Sequence, residues 1–207
     1  MTCLVATSVW VSYLGIYLPL KRRSPTNTFL GAIVGALPPF IGTCAFTGTL
    51  IDLPTFLLAG YIFSWQYPHF YGILYENKDD YKRAGFNMIS NLDPSGKRAY
   101  RHMMACNTVN TILPLAMCHT MMIHPSVLAP FLASQVYSFK AIHRFKKESG
   151  SRESAKQVKR SSYIPFMILL LGFYGTTLYD KVSVRLISDK NNFMTELGVT
   201  ADSEEVN

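Results

Sequence analysis

The chain has 207 residues, of which 49% are hydrophobic and only 16% are charged, and its formal net charge is +7. Its mean hydropathy of +0.14 is high for a soluble protein of this length. These values argue against an ordinary soluble domain and favour a membrane protein.

Apolar runs of near-bilayer length alternate with short charged runs along the chain. A helix of about 20 apolar residues can cross a hydrocarbon core of about 30 Å. We therefore predict an all-α membrane protein, a helical bundle with a transmembrane domain over residues 1–180 and a polar, mobile tail over residues 181–207. The predicted spans are residues 2–20, 28–51, 53–75, 103–123, 125–142 and 163–180.

The second predicted span contains Gly31 and Gly35, which have the small-xxx-small spacing that lets membrane helices approach closely. Several of the predicted spans also contain proline, which membrane helices tolerate where neighbouring groups satisfy the freed backbone. We expect this region to pack tightly against another helix.

The cations test the six-span interpretation, because six crossings place alternate loops on opposite sides of the membrane. By this interpretation 17 of the 20 Lys and Arg residues lie on one side. Only Lys181, Arg185 and Lys190 lie on the other side. This is the distribution expected from the positive-inside rule. The net positive charge therefore requires no nucleic-acid partner.

A dense cluster of charge directly follows the third predicted span, where residues 76–88 read ENKDDYKRAGFNM. If the helix continues one turn past Tyr75, Glu76 and Asp80 lie at i and i+4 on one face and can share a hard divalent cation such as Mg²⁺. Lys82 and Arg83 can bind phosphate oxygens. The alternative is a solvated loop whose opposite charges pair with one another.

His69 lies within the third predicted span, in the stretch SWQYPHFYGILY. An ionisable group in a membrane span is a functional candidate, although an isolated neutral histidine bonded to a neighbouring helix is equally consistent with its position. The surrounding aromatic residues are more typical of helix packing and of an interfacial belt than of a cofactor site. The four cysteines show no CxxC spacing and indicate neither a zinc site nor a disulfide framework.

Two stretches resemble signatures of the haem O synthase (protohaem IX farnesyltransferase) family, a branch of the UbiA superfamily of intramembrane prenyltransferases. They read LPLKRRSPTNTFLGAIVGALPPFIGTCAFTG and FLLAGYIFSWQYPHFYGILYENKDDYKRAGFNM, and the close resemblance runs from about Tyr17 to Met88. The resemblance implies a bundle of nine helices, of which the six predicted spans are helices four to nine. The family's first acidic motif is missing, so we expect the chain to be a fragment that is inactive alone.

The resemblance also implies a reaction, in which a farnesyl group passes from farnesyl diphosphate to the vinyl carbon of protohaem IX and gives haem O. Mg²⁺ or Mn²⁺ is the expected cofactor, held by carboxylates of the acidic cluster. The implied site residues are Asp80 and His69 for catalysis; Asp80, Glu76 and Asp79 for the metal; Lys82, Arg83, Lys21 and Arg22 for the diphosphate; and Trp65, Phe70 and Tyr81 for the prenyl and haem pocket.

The form WQYPHF is similar to that of the mitochondrial members, which implies a multi-pass protein of the mitochondrial inner membrane with its basic loops facing the matrix. The expected partners are farnesyl diphosphate, protohaem IX and membrane lipid, and contact with a haem A synthase or assembly into a homo-oligomer is left open. Three alternatives also stay open: a non-catalytic membrane paralogue that binds haem or assembly partners, a prenyltransferase with a quinone acceptor, and a small transporter or channel.

Overall fold

The computed structural model describes residues 1–24, 26–50, 52–120 and 122–196, with the side chains of Arg22, Asp180 and residues 189–196 left outside the description. The described residues contain helices and no strand. The elements are α1 (Thr2–Val11), a π-helical segment (Ser12–Tyr17), α2 (Leu18–Arg23), α3 (Asn27–Gly35), α4 (Pro38–Thr47), α5 (Leu53–Glu76), α6 (Lys78–Arg83), α7 (Ile89–Leu92), α8 (Lys97–His119), a 3-10 turn (Pro125–Val127), α9 (Leu128–Lys147) and α10 (Arg152–Glu196).

Three helical stretches are long and apolar enough to cross a membrane, namely Thr2–Lys21, Asn27–Thr47 and Arg152–Ser188. The prediction of an all-α membrane protein is therefore confirmed. Helices α5, α8 and α9 occupy the other three predicted spans but are less apolar, because their packed faces carry polar side chains. The buried polar residues of these helices are Thr55, Ser64, Gln66, His69, Asn107, Asn110, Ser134, Gln135 and Ser138. Six crossings stay a prediction.

The second predicted span is broken into two helices. Helix α3 ends at Gly35, and α4 begins at Pro38 with a second proline directly behind it. Pro38 and Pro39 lack the amide protons that a continuing helix needs, whereas the first positions of a helix do not need them, so a new helix starts here. Helix α4 ends at Thr47, where Gly48 adopts a φ of +74°.

Helix α5 begins behind a side-chain cap, because the Asp52 carboxylate accepts bonds from the Thr55 amide at 3.1 Å and the Thr55 hydroxyl at 2.7 Å. It packs centrally against α8 and α10, and α9 packs against both of these neighbours. Helices α3 and α4 cover another side of α5, and the first helices pack against α3 and α4. Helix α5 therefore presents side chains to several neighbours at once.

The buried apolar residues form two clusters at opposite ends of this bundle. One cluster surrounds Tyr75 and Phe145, whose rings meet edge to face at 4.9 Å. The other surrounds Tyr61 and Phe131. The charged segments lie at the end that contains Tyr75, where Lys146 stacks over Tyr100 of α8.

The last helix is longer than the predicted span over residues 163–180. It begins at Arg152 and continues to Glu196, so residues 181–196 are helical where a polar tail was expected. Residues 197–207, the rest of that expected tail, lie outside the described residues.

The two small residues of α3 face different partners. A side chain at Gly31 would meet the ring of Tyr17, and one at Gly35 would meet the amide of Gln66 on α5. Gln66 also donates a hydrogen bond from Nε2 to the Ala32 carbonyl at 3.0 Å. The small residues thus let α3 fit between the first helices and α5, in agreement with the close packing expected from their spacing.

Candidate functional site

The acidic cluster is divided between two helices. Helix α5 ends at Glu76, and α6 starts at Lys78 after Asn77, which has non-helical backbone angles (φ −115°, ψ 25°). The expectation that Glu76 and Asp80 share one helical face is therefore wrong. Glu76 forms an ion pair with Lys159 of α10, whereas Asp80 forms one with Arg83 within α6.

The three carboxylates do not form a metal shell by themselves. No group of three His, Cys, Asp or Glu side chains among the described residues could hold a metal ion. Glu76 and Asp80 are each paired with a cation, and only Asp79 has no ion pair with a described residue. The described donor set therefore does not fit a divalent cation as it stands.

A cavity of about 140 Å³ lies between the π-helical segment, α3, α5 and α6. It contains three of the residues implicated by the sequence, Lys21, Phe70 and Tyr81. Burial raises the pKa of the Tyr81 phenol above its ordinary value, so the hydroxyl stays protonated and can donate a hydrogen bond. The Lys21 ammonium supplies the positive charge at this end and lies 5.3 Å from the centre of the Phe86 ring.

A second cavity, of about 530 Å³, adjoins the first, because Tyr17, Gly31 and Phe70 line both. Its remaining walls are largely apolar and include Trp10 and Val34. The two cavities together form a groove, which we call the donor groove, with a cationic, hydroxyl-bearing end and an apolar end. This polarity matches an amphiphile with an anionic head and a hydrocarbon chain.

His69 and Trp65 face a different side of α5 from Phe70. The His69 ring stacks on Trp65 at a centroid distance of 4.8 Å and meets the Tyr163 ring edge to face at 4.7 Å. Its Nδ1 lies 3.1 Å from the Ser162 hydroxyl, and Trp65 donates to the Ser162 carbonyl at 2.7 Å. The structure therefore packs both side chains against α10, away from the donor groove.

The remaining predicted diphosphate contacts are more exposed. Lys82 and Arg83 lie on the outer surface of α6, and the side chain of Arg22 is outside the described part of the chain. Among the predicted cations, Lys21 is the one that lines a described cavity.

Sequence reasoning missed most residues of the donor groove, Tyr17 and Asn27 among them. The Asn27 side chain is buried and donates to the carbonyl oxygens of Ser24 at 2.7 Å and Asn87 at 3.3 Å. It thereby connects the start of α3 to the loop that follows the acidic cluster. The sequence signal for Asn27 was its position as a lone asparagine at the edge of an apolar span.

Sequence reasoning also missed Asp93, which organises the end of the same loop. Its carboxylate accepts hydrogen bonds from the backbone amides of Arg98 at 2.7 Å and Ala99 at 3.1 Å, and from the Tyr75 hydroxyl at 3.2 Å. Burial alone raises the pKa of this carboxyl, but the hydrogen bonds outweigh burial and hold its pKa below the ordinary value. Asp93 therefore fixes the loop to the start of α8 as an ionised cap. The turn-forming stretch DPSG was the signal for it.

Comparison with known protein families assigns the sequence to one of them. Residues 1–173 match the UbiA prenyltransferase family. The chain belongs to that family. UbiA prenyltransferases generally use a divalent metal for diphosphate binding. No solved structure matches the chain significantly.

Curated relatives match about half of the chain. A protein of Rhodopirellula baltica named protoheme IX farnesyltransferase is 44% identical over 95 residues, which cover 46% of this chain and 33% of the relative. A mitochondrial protein of the same name from Homo sapiens is 43% identical over 105 residues, covering 50% and 24%. One from Anaeromyxobacter dehalogenans is 38% identical over 117 residues, covering 56% and 38%. The match thus spans between about a quarter and two fifths of each relative's length.

Proposed function

We propose that the chain forms part of an enzyme that transfers a farnesyl group from farnesyl diphosphate to protohaem IX, giving haem O. The observation that carries the proposal is the donor groove, whose cationic and apolar ends suit the two parts of a prenyl diphosphate. The names of the relatives supply the acceptor and the length of the prenyl chain.

We place the diphosphate at the end of the groove that holds Lys21 and Tyr81, beside the exposed cations Lys82 and Arg83 of α6. The prenyl chain would then extend past Phe70 towards Trp10. Positive charge fixed at this end would stabilise the diphosphate as the carbon–oxygen bond breaks. The aromatic rings would stabilise the allylic cation that the broken bond leaves behind.

We expect the family's metal to be Mg²⁺ or Mn²⁺. Since the described carboxylates do not form a shell, this chain would contribute Asp79 and Asp80 at most. Asp80 would have to exchange its bond to Arg83 for a new contact, and both side chains are exposed enough to move. Glu76, held by Lys159, is better suited to joining α5 to α10 than to binding a metal.

We assign His69 to the acceptor side of the reaction. Attack of the vinyl group on the farnesyl carbon leaves a cation on the neighbouring vinyl carbon, and addition of water to that cation gives the hydroxyethylfarnesyl side chain and releases one proton. A neutral imidazole held by Ser162 can accept a proton or position the porphyrin. Unchanged porphyrin turnover after His69→Ala would overturn this assignment.

The chain is proposed to cross the inner mitochondrial membrane several times with its basic loops in the matrix. Two contacts between helices support this arrangement, because they join charged segments at one end of the bundle. Glu76 of α5 forms an ion pair with Lys159 of α10, and Arg144 of α9 donates a hydrogen bond to Gln157 of α10. Reagents that modify lysine from only one side of sealed vesicles can test this arrangement.

The activity is tested with membranes that contain the chain, alone or together with the part of the human relative that precedes the matched segment. Farnesyl diphosphate and protohaem IX are supplied, and haem O is measured by chromatography. We expect haem O from the combined chains, and Asp80→Asn should lower its rate on the order of 100-fold because a proposed ligand of the metal that would neutralise the leaving diphosphate is lost.

Glu153→Gln is the matched control, since Glu153 is an exposed carboxylate in the first turn of α10. It should leave the rate unchanged. Failure of the combined chains to form haem O, or equal rates for Asp80→Asn and the control, would contradict the proposal.

A further inference from the structure

A second polar groove, which we call the α9 groove, runs along the outer face of α9 beside α8. Its cavity volume is about 790 Å³. Met104 of α8 and Phe139 of α9 provide apolar walls. The other lining residues are Lys140, His143, Arg144, Lys147 and Glu148. None of them belongs to the donor groove.

The α9 groove has an excess of positive charge. Lys140, Arg144 and Lys147 recur at the spacing of one helical face. The one carboxylate in the lining, Glu148, accepts from Arg144 Nε at 2.6 Å and from the Ser151 hydroxyl at 2.8 Å. Neither Lys140 nor Lys147 forms an ion pair with a described residue. Two exposed ammonium groups are therefore available to an anion.

An apolar track continues from the cationic end of the α9 groove. Val136 and Leu132 precede Lys140 by one and two helical turns on the same face of α9. Their exposed fractions are 53% and 39%. A soluble anion would gain nothing from this track, whereas a membrane amphiphile would cover it with hydrocarbon.

We propose that the α9 groove binds an anionic phospholipid of the surrounding membrane. Lys140 and Lys147, with Arg144 between them, bind the phosphate group, and an acyl chain lies along Phe139 and Val136. Basic pockets between membrane helices are suited to acidic lipid head groups because each cation near the surface adds attraction. The proposal is independent of the prenyl-transfer reaction and requires only that α9 lie in a membrane.

The test uses the purified chain in detergent with equal amounts of phosphatidylcholine and phosphatidylglycerol. Excess lipid is removed, and the lipid that stays bound is counted by native mass spectrometry. The wild-type chain should retain phosphatidylglycerol preferentially. The double variant K140Q/K147Q should retain at least about fivefold less of it, since two attractive charges are lost.

Three further variants separate a lipid site from general attraction. R152Q/K156Q removes two cations from α10, outside the groove, and should retain as much phosphatidylglycerol as wild type. K140R/K147R keeps both charges in the groove and should also retain the wild-type amount, and it controls for folding. Met104→Trp leaves every charge in place but fills the apolar wall, and it should lower retention.

Three results would overturn the proposal. Equal losses in K140Q/K147Q and R152Q/K156Q would show general charge attraction, and no loss in either would exclude the site. Displacement of the lipid by excess inorganic phosphate, together with wild-type retention by Met104→Trp, would show a simple anion site instead of a lipid site.

Discussion

Gly72 sets the distance between α5 and α10. A methyl group at this position would lie 2.7 Å from the backbone nitrogen of Lys159, which cannot move as a side chain can. We expect Gly72→Ala to destabilise the protein by about 1 to 3 kcal/mol through overpacking. Gly60→Ala in the same helix is the control, because its methyl group would meet Leu113 at an ordinary 3.5 Å. Thermal unfolding in detergent measures both, and equal melting temperatures for the two variants would contradict this account.

Asp93 links stability to pH through its ionised form. The pKa of Asp93 in the folded protein lies below the ordinary value of 3.8. Its contribution to the free energy of unfolding is therefore complete above pH 3.8 and is lost as the pH falls through the folded-state pKa. Asp93→Asn should cost about 1 to 2 kcal/mol at pH 7, the usual range for a lost helix cap. The difference from wild type should shrink below about pH 4. A difference that stays constant from pH 7 to pH 3 would show that Asp93 acts through packing alone.

At the scale of elements, the ion pair between Glu76 and Lys159 joins the end of α5 to α10. The exposed fractions of its side chains are 13% and 26%, whereas those of Asp80 and Arg83 are 63% and 78%. Solvent screens the exposed pair, so double-mutant cycles should give a coupling of about 1 to 3 kcal/mol for Glu76 and Lys159 and below about 0.5 kcal/mol for Asp80 and Arg83. Equal couplings would mean that the buried pair does not hold the helices together.

Local sequence signals predicted the positions of the long helices well. The apolar runs gave the helical regions. The break at Pro38 was missed, because span length alone does not show where a helix is interrupted. The predicted span over residues 53–75 agrees with α5, but the helix does not continue for the extra turn on which the pairing of Glu76 with Asp80 depended. The interruption at Asn77 matters most, since it separates Glu76 from Asp80 and undoes the predicted pair of carboxylates.

At the scale of the whole molecule, the donor groove could be predicted only in part. Phe70 and His69 are neighbours in sequence, yet they face opposite neighbours of α5, and only the packed bundle shows which residue faces which. The partner of Glu76 lies 83 residues away in α10. Tyr17 and Asn27 reach the groove because the π-helical segment packs against α3 and α3 packs against α5. Motif resemblance identified the residues that carry charge, whereas tertiary contacts decided which of them meet.

The central claim is that a prenyl diphosphate occupies the donor groove. The most direct measurement is photocrosslinking of the chain in membranes with a farnesyl diphosphate analogue that carries a diazirine on its prenyl chain, followed by peptide mapping. We predict labels beside Trp10, Tyr17, Gly31 and Phe70, which excess farnesyl diphosphate suppresses. Labels confined to another surface, such as the cavity beside His124 and Thr176, or labels that farnesyl diphosphate does not suppress, would contradict the claim.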